Sequence, residues 1–186
     1  MAAAVMVKGD LRSAQAVEPT GPRLGHIAEH RCSACFGLGY VALQRRKEPW
    51  AVCKCAYRAM FRQCFGKYRR LGFDMESGRA LAIKTRRGHT YYPGIDYRAD
   101  FWLAAKRVLE AREWQVFVLH KIQGHDWHMC CRVLKLDRGV FFHAVYRLEE
   151  QLGKALMERE LWPVGKYFKS AGEWRPNTIW EHQTRA

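Results

Sequence analysis

The strongest structural signal in this chain lies in residues 114–153, WQVFVLHKIQGHDWHMCCRVLKLDRGVFFHAVYRLEEQLG. Apolar residues recur there every three or four positions, which is the spacing of one buried helix face. Gly124 ends a first helical run, and a short second run covers 127–134. Asp137 is placed to cap the following turn through its carboxylate, so a third helix is predicted over 138–156. We therefore predict three helices separated by two tight turns.

This pattern resembles region 4 of bacterial sigma factors over residues 113–156. In that region an apolar helix, a glycine, an aromatic residue, two small or aliphatic buried positions and a leucine precede a capping residue. A recognition helix that begins with Arg-Gly follows. The corresponding positions here are Gly124, Trp127, Cys130, Cys131, Leu134, Leu136, Asp137, Arg138 and Gly139. The resemblance implies a helix-turn-helix whose second helix enters the major groove of duplex DNA.

The predicted recognition helix has an apolar face and a mixed face. The apolar face is expected in the core and consists of Phe141, Val145, Leu148 and Leu152. On the mixed face, arginine can bind guanine edges or phosphates, and apolar groups can meet thymine methyls. The predicted DNA contacts are Arg138, Val140, Phe142, His143, Tyr146 and Arg147. Phe142 stands where a polar residue is expected, so it contacts a methyl group or packs on the protein itself. The alternative to a helix-turn-helix is an ordinary helical bundle.

Four of the seven cysteines form two close pairs that predict a metal site. Cys32 and Cys35 lie in CSACFGLGY, and Cys53 and Cys55 return after a connection of 17 residues. Thiolates two or three residues apart on a tight turn can supply two corners of a zinc tetrahedron. Because four thiolates leave no open position for water, we predict a structural rather than a catalytic zinc ion.

The string C-x2-C-x-G-x-G over residues 32–39 resembles the zinc knuckle of the DnaJ chaperone family. This resemblance covers eight residues and implies the geometry of a single knuckle. The second pair is C-x-C rather than C-x2-C, which leaves open whether both Cys53 and Cys55 bind the ion. Four buried thiols without a metal are the alternative.

The remaining cysteines are expected to be thiols. Cys64 falls within a predicted helix and suits a core position. Cys130 and Cys131 point about 100° apart on a helix, so they are not expected to pair with each other. The ligands of a second metal site would be His120, His125, His128 and Cys131. Histidines beside a DNA-binding face are more often phosphate donors or solvated.

The chain is strongly basic, with 32 Lys and Arg against 18 Asp and Glu and a net charge of +14. Residues 41–90 alone carry 13 basic and three acidic residues. Such a surplus favours a polyanionic partner, with nucleic acid as the first candidate. A helix predicted over 54–71 has a basic stripe, and a zinc ion at Cys55 would orient its first turn. The predicted phosphate contacts of this region are Arg58, Arg62, Arg69, Arg70, Lys84, Arg86 and Arg87.

The sequence predicts a mainly α fold with a small zinc-bound module and a C-terminal helix-turn-helix. We divide the chain into a tail (1–24), a zinc module with the basic helix (25–72), a linker (73–96), a helix-turn-helix domain (97–160) and an aromatic extension (161–186). No apolar run approaches the roughly 18 to 20 residues of a membrane helix. Because the cysteines suit a metal and thiols rather than disulfides, we expect a cytoplasmic protein of a bacterial or phage-infected cell.

Taken together, these features predict a DNA-binding transcription regulator of the bacterial or phage type, with double-stranded DNA and RNA polymerase as partners. The combination is similar to phage late-gene regulators and antiterminators, which pair zinc knuckles with DNA and polymerase binding. No enzyme is expected, because the chain has no phosphate-binding glycine loop, nucleophile elbow or H-E-x-x-H sequence. One alternative is a subunit of a mobile-element or ribosome-associated complex that grips nucleic acid without reading its sequence. Another is a zinc-dependent nuclease or other enzyme that uses His120, His125 or His128 with Asp126.

Overall fold

The computed structural model describes residues 21–43, 50–80, 82–84 and 90–170. Two predicted phosphate contacts, Arg86 and Arg87, lie outside the described residues, as do most of the predicted tail and much of the aromatic extension. The chain divides into two compact units with their boundary between Cys53 and Lys54. Within the described part of the chain, every helix is too short or too polar to cross a membrane.

The first unit is built around a short β-hairpin. Its strands, β1 (Tyr40–Ala42) and β2 (Trp50–Val52), pair antiparallel. Before the hairpin, Leu24 is buried against Gly39, where an added Cβ would come within 2.5 Å of the Leu24 Cβ. Gly39 also has a φ of +80°, a conformation that glycine adopts without steric cost. The Tyr40 hydroxyl donates a 2.8 Å hydrogen bond to the Pro22 carbonyl, so the segment that begins at Pro22 is part of this unit.

The second unit is helical. Its helices are α1 (Lys54–Glu76), α2 (Pro93–Val108), α3 (Ala111–Val116), α4 (Trp127–Leu134), α5 (Arg138–Glu158) and α6 (Val164–Ser170). α3 continues directly as a π-helical segment, Phe117–Ile122. Between α1 and α2, the two-residue strands β3 (Ile83–Lys84) and β4 (Thr90–Tyr91) pair antiparallel. The prediction of a mainly α fold is therefore confirmed.

The long helix α5 is the centre of this unit and contacts α1, α2, α3 and α4. Its predicted apolar face is buried along its length, at Phe141, Val145, Leu148 and Leu152. Aromatic rings of α1, α2 and the π-helical segment contact one another, with neighbouring centroids 5.5 to 6.4 Å apart. These rings belong to Phe61, Phe65, Phe101 and Phe117. Because α5 is held on several sides, its first turns are presented on a rigid support.

Helix α1 continues to Glu76, five residues beyond the predicted end at Leu71. Gly72 lies within this helix and provides room for a side chain of α2: an added Cβ would overlap the guanidinium of Arg98. That guanidinium lies 4.7 Å from the centre of the Tyr68 ring. α1 packs along α2 and α5 and belongs to the second unit, whereas the sequence had grouped it with the cysteines.

The turn before α5 has the chemistry that the sequence predicted, and the turns around α4 are additional findings. Asp137 caps α5 by accepting a 2.9 Å hydrogen bond from the Val140 N–H. Asp126 caps α4 in the same way, accepting a 2.8 Å hydrogen bond from the Met129 N–H. Between the two helices, Lys135 adopts a left-handed conformation with φ 52° and ψ 47° that reverses the chain. Both helices therefore begin at the predicted residues.

Candidate functional site

The four predicted cysteine ligands form a compact cluster. The Sγ atoms of Cys32, Cys35, Cys53 and Cys55 all lie within 4.8 Å of one another, and three of the four residues are buried. Cys32 Sγ and Cys53 Sγ are 3.7 Å apart. A tetrahedron with zinc–sulfur bonds of about 2.3 Å has an edge of about 3.8 Å. None of the seven cysteines forms a disulfide. The quartet could therefore hold one metal ion with four sulfur ligands.

A tight backbone turn positions the first pair of cysteines. The Phe36 N–H donates to the Cys32 carbonyl, and the Leu38 N–H donates to the Cys35 carbonyl, each at 2.8 Å. Phe36 itself has a φ of +49° and is 71% exposed. A bulky residue with positive φ is uncommon, and here it follows from the turn that brings the two sulfurs together.

The second pair lies where the hairpin gives way to a helix. Cys53 directly follows β2, and its N–H donates a 2.8 Å hydrogen bond to the Gly39 carbonyl. Cys55 is the second residue of α1. Both members of the C-x-C pair place their sulfurs in the cluster, so both could bind a shared ion.

The other thiols lie apart from this cluster. Cys64 is buried in the core as predicted, and burial raises the pKa of its thiol to about 11. Cys130 is buried with a pKa that burial also raises, whereas Cys131 is only half-buried. Within the described residues, the cysteine quartet is the one group of three or more His, Cys, Asp and Glu side chains close enough to share an ion. The histidines considered for a second metal site are therefore not assembled with Cys131.

The first turns of α5 are accessible. Of the predicted DNA contacts on this helix, five are exposed and Phe142 is half-buried. The exposed residues are Arg138, Val140, His143, Tyr146 and Arg147. Phe142 packs within the protein, with its ring centre 6.2 Å from that of Trp127 and 5.3 Å from that of Phe141. Of the two alternatives for Phe142, the structure therefore supports packing on the protein itself.

Arg138 lies at the start of α5 beside two aromatic rings. Its guanidinium carbon is 5.3 Å from the centre of the Trp127 ring and 5.8 Å from that of the Phe142 ring. Both distances are within the range of a cation–π interaction. Arg147, two turns later, instead pairs with a buried carboxylate, since its Nε lies 3.1 Å from an oxygen of Glu113. The two arginines predicted on this face thus have different surroundings.

The predicted basic stripe of α1 runs along α5. Lys54 pairs with Glu150 at 3.4 Å, and Arg62 pairs with Glu149 at 3.3 Å. Between them, the half-buried Arg58 lies with its guanidinium 5.3 Å from the centre of the Tyr146 ring. These contacts join the two helices, although the Arg62 side chain is still 64% exposed. Further along α1, Arg69 and Arg70 are exposed. Lys84 lies in β3.

The sequence analysis did not predict two buried acidic residues, Glu113 and Glu149, that pair with arginines of α5 and α1. Glu113 closes a capping box at the start of α3 with Glu110, in addition to its contact with Arg147. Glu149 accepts from both Arg62 and Lys121. A signal for Glu149 was present, because it lies four residues after Val145 and so falls on the apolar face of α5.

Comparison of the chain with protein-family models, with curated proteins and with solved structures gives no significant match. Any functional conclusion therefore depends on the cysteine cluster, the charge and the surface of α4 and α5.

Proposed function

We propose that this protein is a DNA-binding transcription regulator of the bacterial or phage type. In this proposal, α4 braces α5 across a three-residue turn, and the first turns of α5 enter the major groove of duplex DNA. One observation carries the proposal. α5 buries one apolar face from Phe141 onward, while the N-terminal part of its other face, from Arg138 through Val140 to His143, stays exposed.

The charge around this face supports the proposal. Arg132, Lys135 and Arg138 are all exposed at the end of α4, in the turn and at the start of α5. The two acidic residues nearby in sequence, Asp126 and Asp137, accept hydrogen bonds from the helix backbones that they cap. The surface thus offers cationic donors to phosphates, and the net charge of +14 has the same sign.

We propose further that the cysteine quartet binds one Zn²⁺ as a structural ion. Four thiolates complete the tetrahedral coordination of zinc and leave no position for a reacting water. The ion would hold the knuckle closed. The first unit and the exposed arginines of α1 would then add contacts to DNA phosphates or to RNA polymerase.

The proposal is tested by selection from a random pool of duplex DNA with the full-length, zinc-loaded protein. We expect enrichment of a common motif, and we expect the Arg138→Ala variant to relax one position of that motif by about 1–3 kcal/mol. Lys154→Ala is the matched control, because it removes an exposed positive charge about 24 Å further along the same helix. Its motif should be unchanged. Wild-type protein that binds duplex DNA without enriching any motif would contradict sequence reading.

A second candidate function is nucleic-acid binding without sequence preference. The exposed Phe36 ring and the exposed Arg69 and Arg70 of α1 favour it. Exposed aromatic rings and cationic side chains are the parts from which sequence-independent nucleic-acid binding is built. Strong salt dependence together with equal affinity for unrelated sequences would support this function over sequence reading. Repeating the selection after chelation separates the contribution of the first unit to DNA binding from that of α4 and α5.

A further inference from the structure

Three side chains at the junction of α4 and α5 form a mixed aromatic and cationic cluster. Trp127 is the first residue of α4, Arg138 is the first residue of α5, and Phe142 lies one turn after Arg138. The Arg138 guanidinium is within 6 Å of the centres of both rings, at 5.3 and 5.8 Å. The two ring centres are 6.2 Å apart. One guanidinium is thus held against two rings from two helices.

Each of the two rings contacts a neighbouring ring. The Trp127 ring stacks on that of His128 with centres 3.5 Å apart. The Phe142 ring meets the fully buried Phe141 ring edge-on at 5.3 Å. Both rings are half-buried, so the pair can restrict the rotamers of the arginine between them.

The donors of Arg138 are not used within the described part of the protein. Arg62 and Arg147 pair with the buried carboxylates of Glu149 and Glu113, whereas Arg138 has no hydrogen bond or ion pair to any described residue. A cation–π contact acts through the charge and the face of the ring, and it does not consume the N–H groups. The five donors of this guanidinium therefore remain available to a ligand, while its position is restricted.

We propose that Trp127 and Phe142 are positioning residues that hold Arg138 for bidentate recognition of a guanine in the major groove. The fork of an arginine matches the O6 and N7 acceptors of guanine. An unrestrained arginine loses much rotamer freedom when it binds, and a pre-positioned one loses less. This inference rests on the proposed function. It adds the base that Arg138 recognises and the residues that position Arg138.

A structural role for the two rings makes a different prediction. If Trp127 and Phe142 only pack α4 against α5, their loss lowers the stability of the protein and its affinity for all sequences alike. If they position Arg138, their loss lowers the preference for guanine at one position of the site, and only while Arg138 is present.

The test is a double-mutant cycle on the selected DNA site, with guanine replaced in turn by the other bases at the position that Arg138→Ala relaxes. For the wild type we expect a preference for guanine of roughly 5- to 150-fold. Trp127→Leu should reduce this preference about two- to fivefold, the equivalent of one exposed cation–π contact. Trp127→Phe should keep it, because a ring is retained. In the Arg138→Ala background, Trp127→Leu should have no further effect on base preference.

Trp102→Leu is the matched control. Trp102 is a half-buried indole of α2 that packs on the Trp114 ring at 5.0 Å. Its loss should leave the guanine preference unchanged, whatever it does to stability. Thermal unfolding of each variant shows which proteins are folded at the temperature of the binding assay. If Trp127→Leu does not fold there, Phe142→Leu takes its place in the cycle with the same expectation.

The outcomes separate the two proposals. If the wild type selects no motif, the proposed function fails and this inference fails with it. If the wild type selects a motif but the ring variants keep the full guanine preference, only the inference is overturned. The inference is also overturned if a ring variant changes the base preference in the Arg138→Ala background as much as it does in the wild type. Binding that weakens for all sequences alike would assign the rings to packing.

Discussion

The Lys121 ammonium donates a 2.7 Å hydrogen bond to the Glu149 carboxylate inside the second unit. The two side chains are largely removed from solvent, with 18% of Lys121 and 5% of Glu149 exposed. The other oxygen of Glu149 lies 3.3 Å from the guanidinium of Arg62 on α1. One buried carboxylate therefore links α5 to α1 and to the π-helical segment. A buried charge is tolerated when it is paired in this way, and it becomes costly when its partner is removed.

Replacing Glu149 by alanine should destabilise the protein strongly. The change leaves Lys121 without its carboxylate in a mostly buried site and also opens a gap between α1 and α5. We expect the free energy of unfolding to fall by about 3 kcal/mol, which is typical for one partner removed from a buried pair. Urea unfolding followed by far-UV circular dichroism measures this change.

Glu150→Ala is the matched control for this prediction. Glu150 is the next residue along α5, and its partner Lys54 has a side chain that is 76% exposed. Exposed ion pairs contribute about 0–1 kcal/mol, so this variant should unfold nearly as the wild type does. Equal effects of the two substitutions would show that Glu149 is not the buried link between these elements.

The local features of the second unit could be predicted because their causes lie within a few residues. Asp137 caps α5 with its own side chain, and Gly124 has the positive φ, +77°, of a residue that ends a helix. The spacing of Phe141, Val145 and Leu148 by three and four residues is enough to identify a buried face. The cysteine pairs were found for the same reason, since ligand spacing on a turn is local chemistry.

The partners of α1 could not be predicted, because they depend on contacts far apart in the chain. Gly153 of α5 packs on the backbone of Tyr57, where an added Cβ would overlap the Tyr57 carbonyl. Nothing in the local sequence distinguishes this glycine from one that ends a helix. Arg62 likewise looks like a solvated cation until Glu149, 87 residues later, is placed beside it. The basic stripe was therefore predicted as a surface, although much of it lines a helix contact.

Cys35→Ser should abolish metal binding and unfold the first unit while leaving the second unit folded. A serine hydroxyl is a poor ligand for zinc, and a small unit with one hairpin has little core of its own. The second unit keeps its own buried core around α5. If the quartet holds one zinc ion as proposed, metal content should fall from one ion to none per chain, and hydrogen exchange should accelerate over residues 21–43 and 50–53 but not over 93–158.

Cys131→Ser is the control for this experiment. Cys131 is half-buried and lies outside the quartet, so its replacement should leave the metal content at one ion per chain. If Cys35→Ser retains a bound ion with unchanged affinity, or if Cys131→Ser loses it, the assignment of the ligands is wrong.

Under the proposed function, Arg70→Ala should weaken DNA binding equally for all sequences. Arg70 is exposed on α1, and a phosphate contact carries no sequence information. The slope of log affinity against log salt should become less steep by about 0.9 if one phosphate contact is lost. Arg62→Ala is a less clean test, because Arg62 also pairs with Glu149 and its loss alters stability. Fluorescence anisotropy at about 50 to 200 mM salt measures the slope for the wild type and for Arg70→Ala. An unchanged slope would remove Arg70 from the interface.

Asp100→Asn should stabilise the protein at neutral pH and lose this effect in acid. Asp100 is buried on α2, where its Oδ2 accepts a 2.9 Å hydrogen bond from the Tyr167 hydroxyl and its Oδ1 has no partner among the described residues. Burial raises the pKa of this carboxyl above its ordinary value of 3.8. The native state therefore keeps the proton to higher pH than the unfolded state does. The stability that the protonated carboxyl contributes is fully present below pH 3.8 and is lost as the pH rises through the native pKa.

An asparagine accepts the Tyr167 hydrogen bond without a charge, so its advantage over aspartate should be largest at pH 7 and shrink as the pH falls toward 3.8. Urea unfolding of both proteins at several pH values measures this difference. If Asp100→Asn destabilises the protein by the same amount at every pH, Asp100 matters through its hydrogen bond and not through the cost of its buried charge.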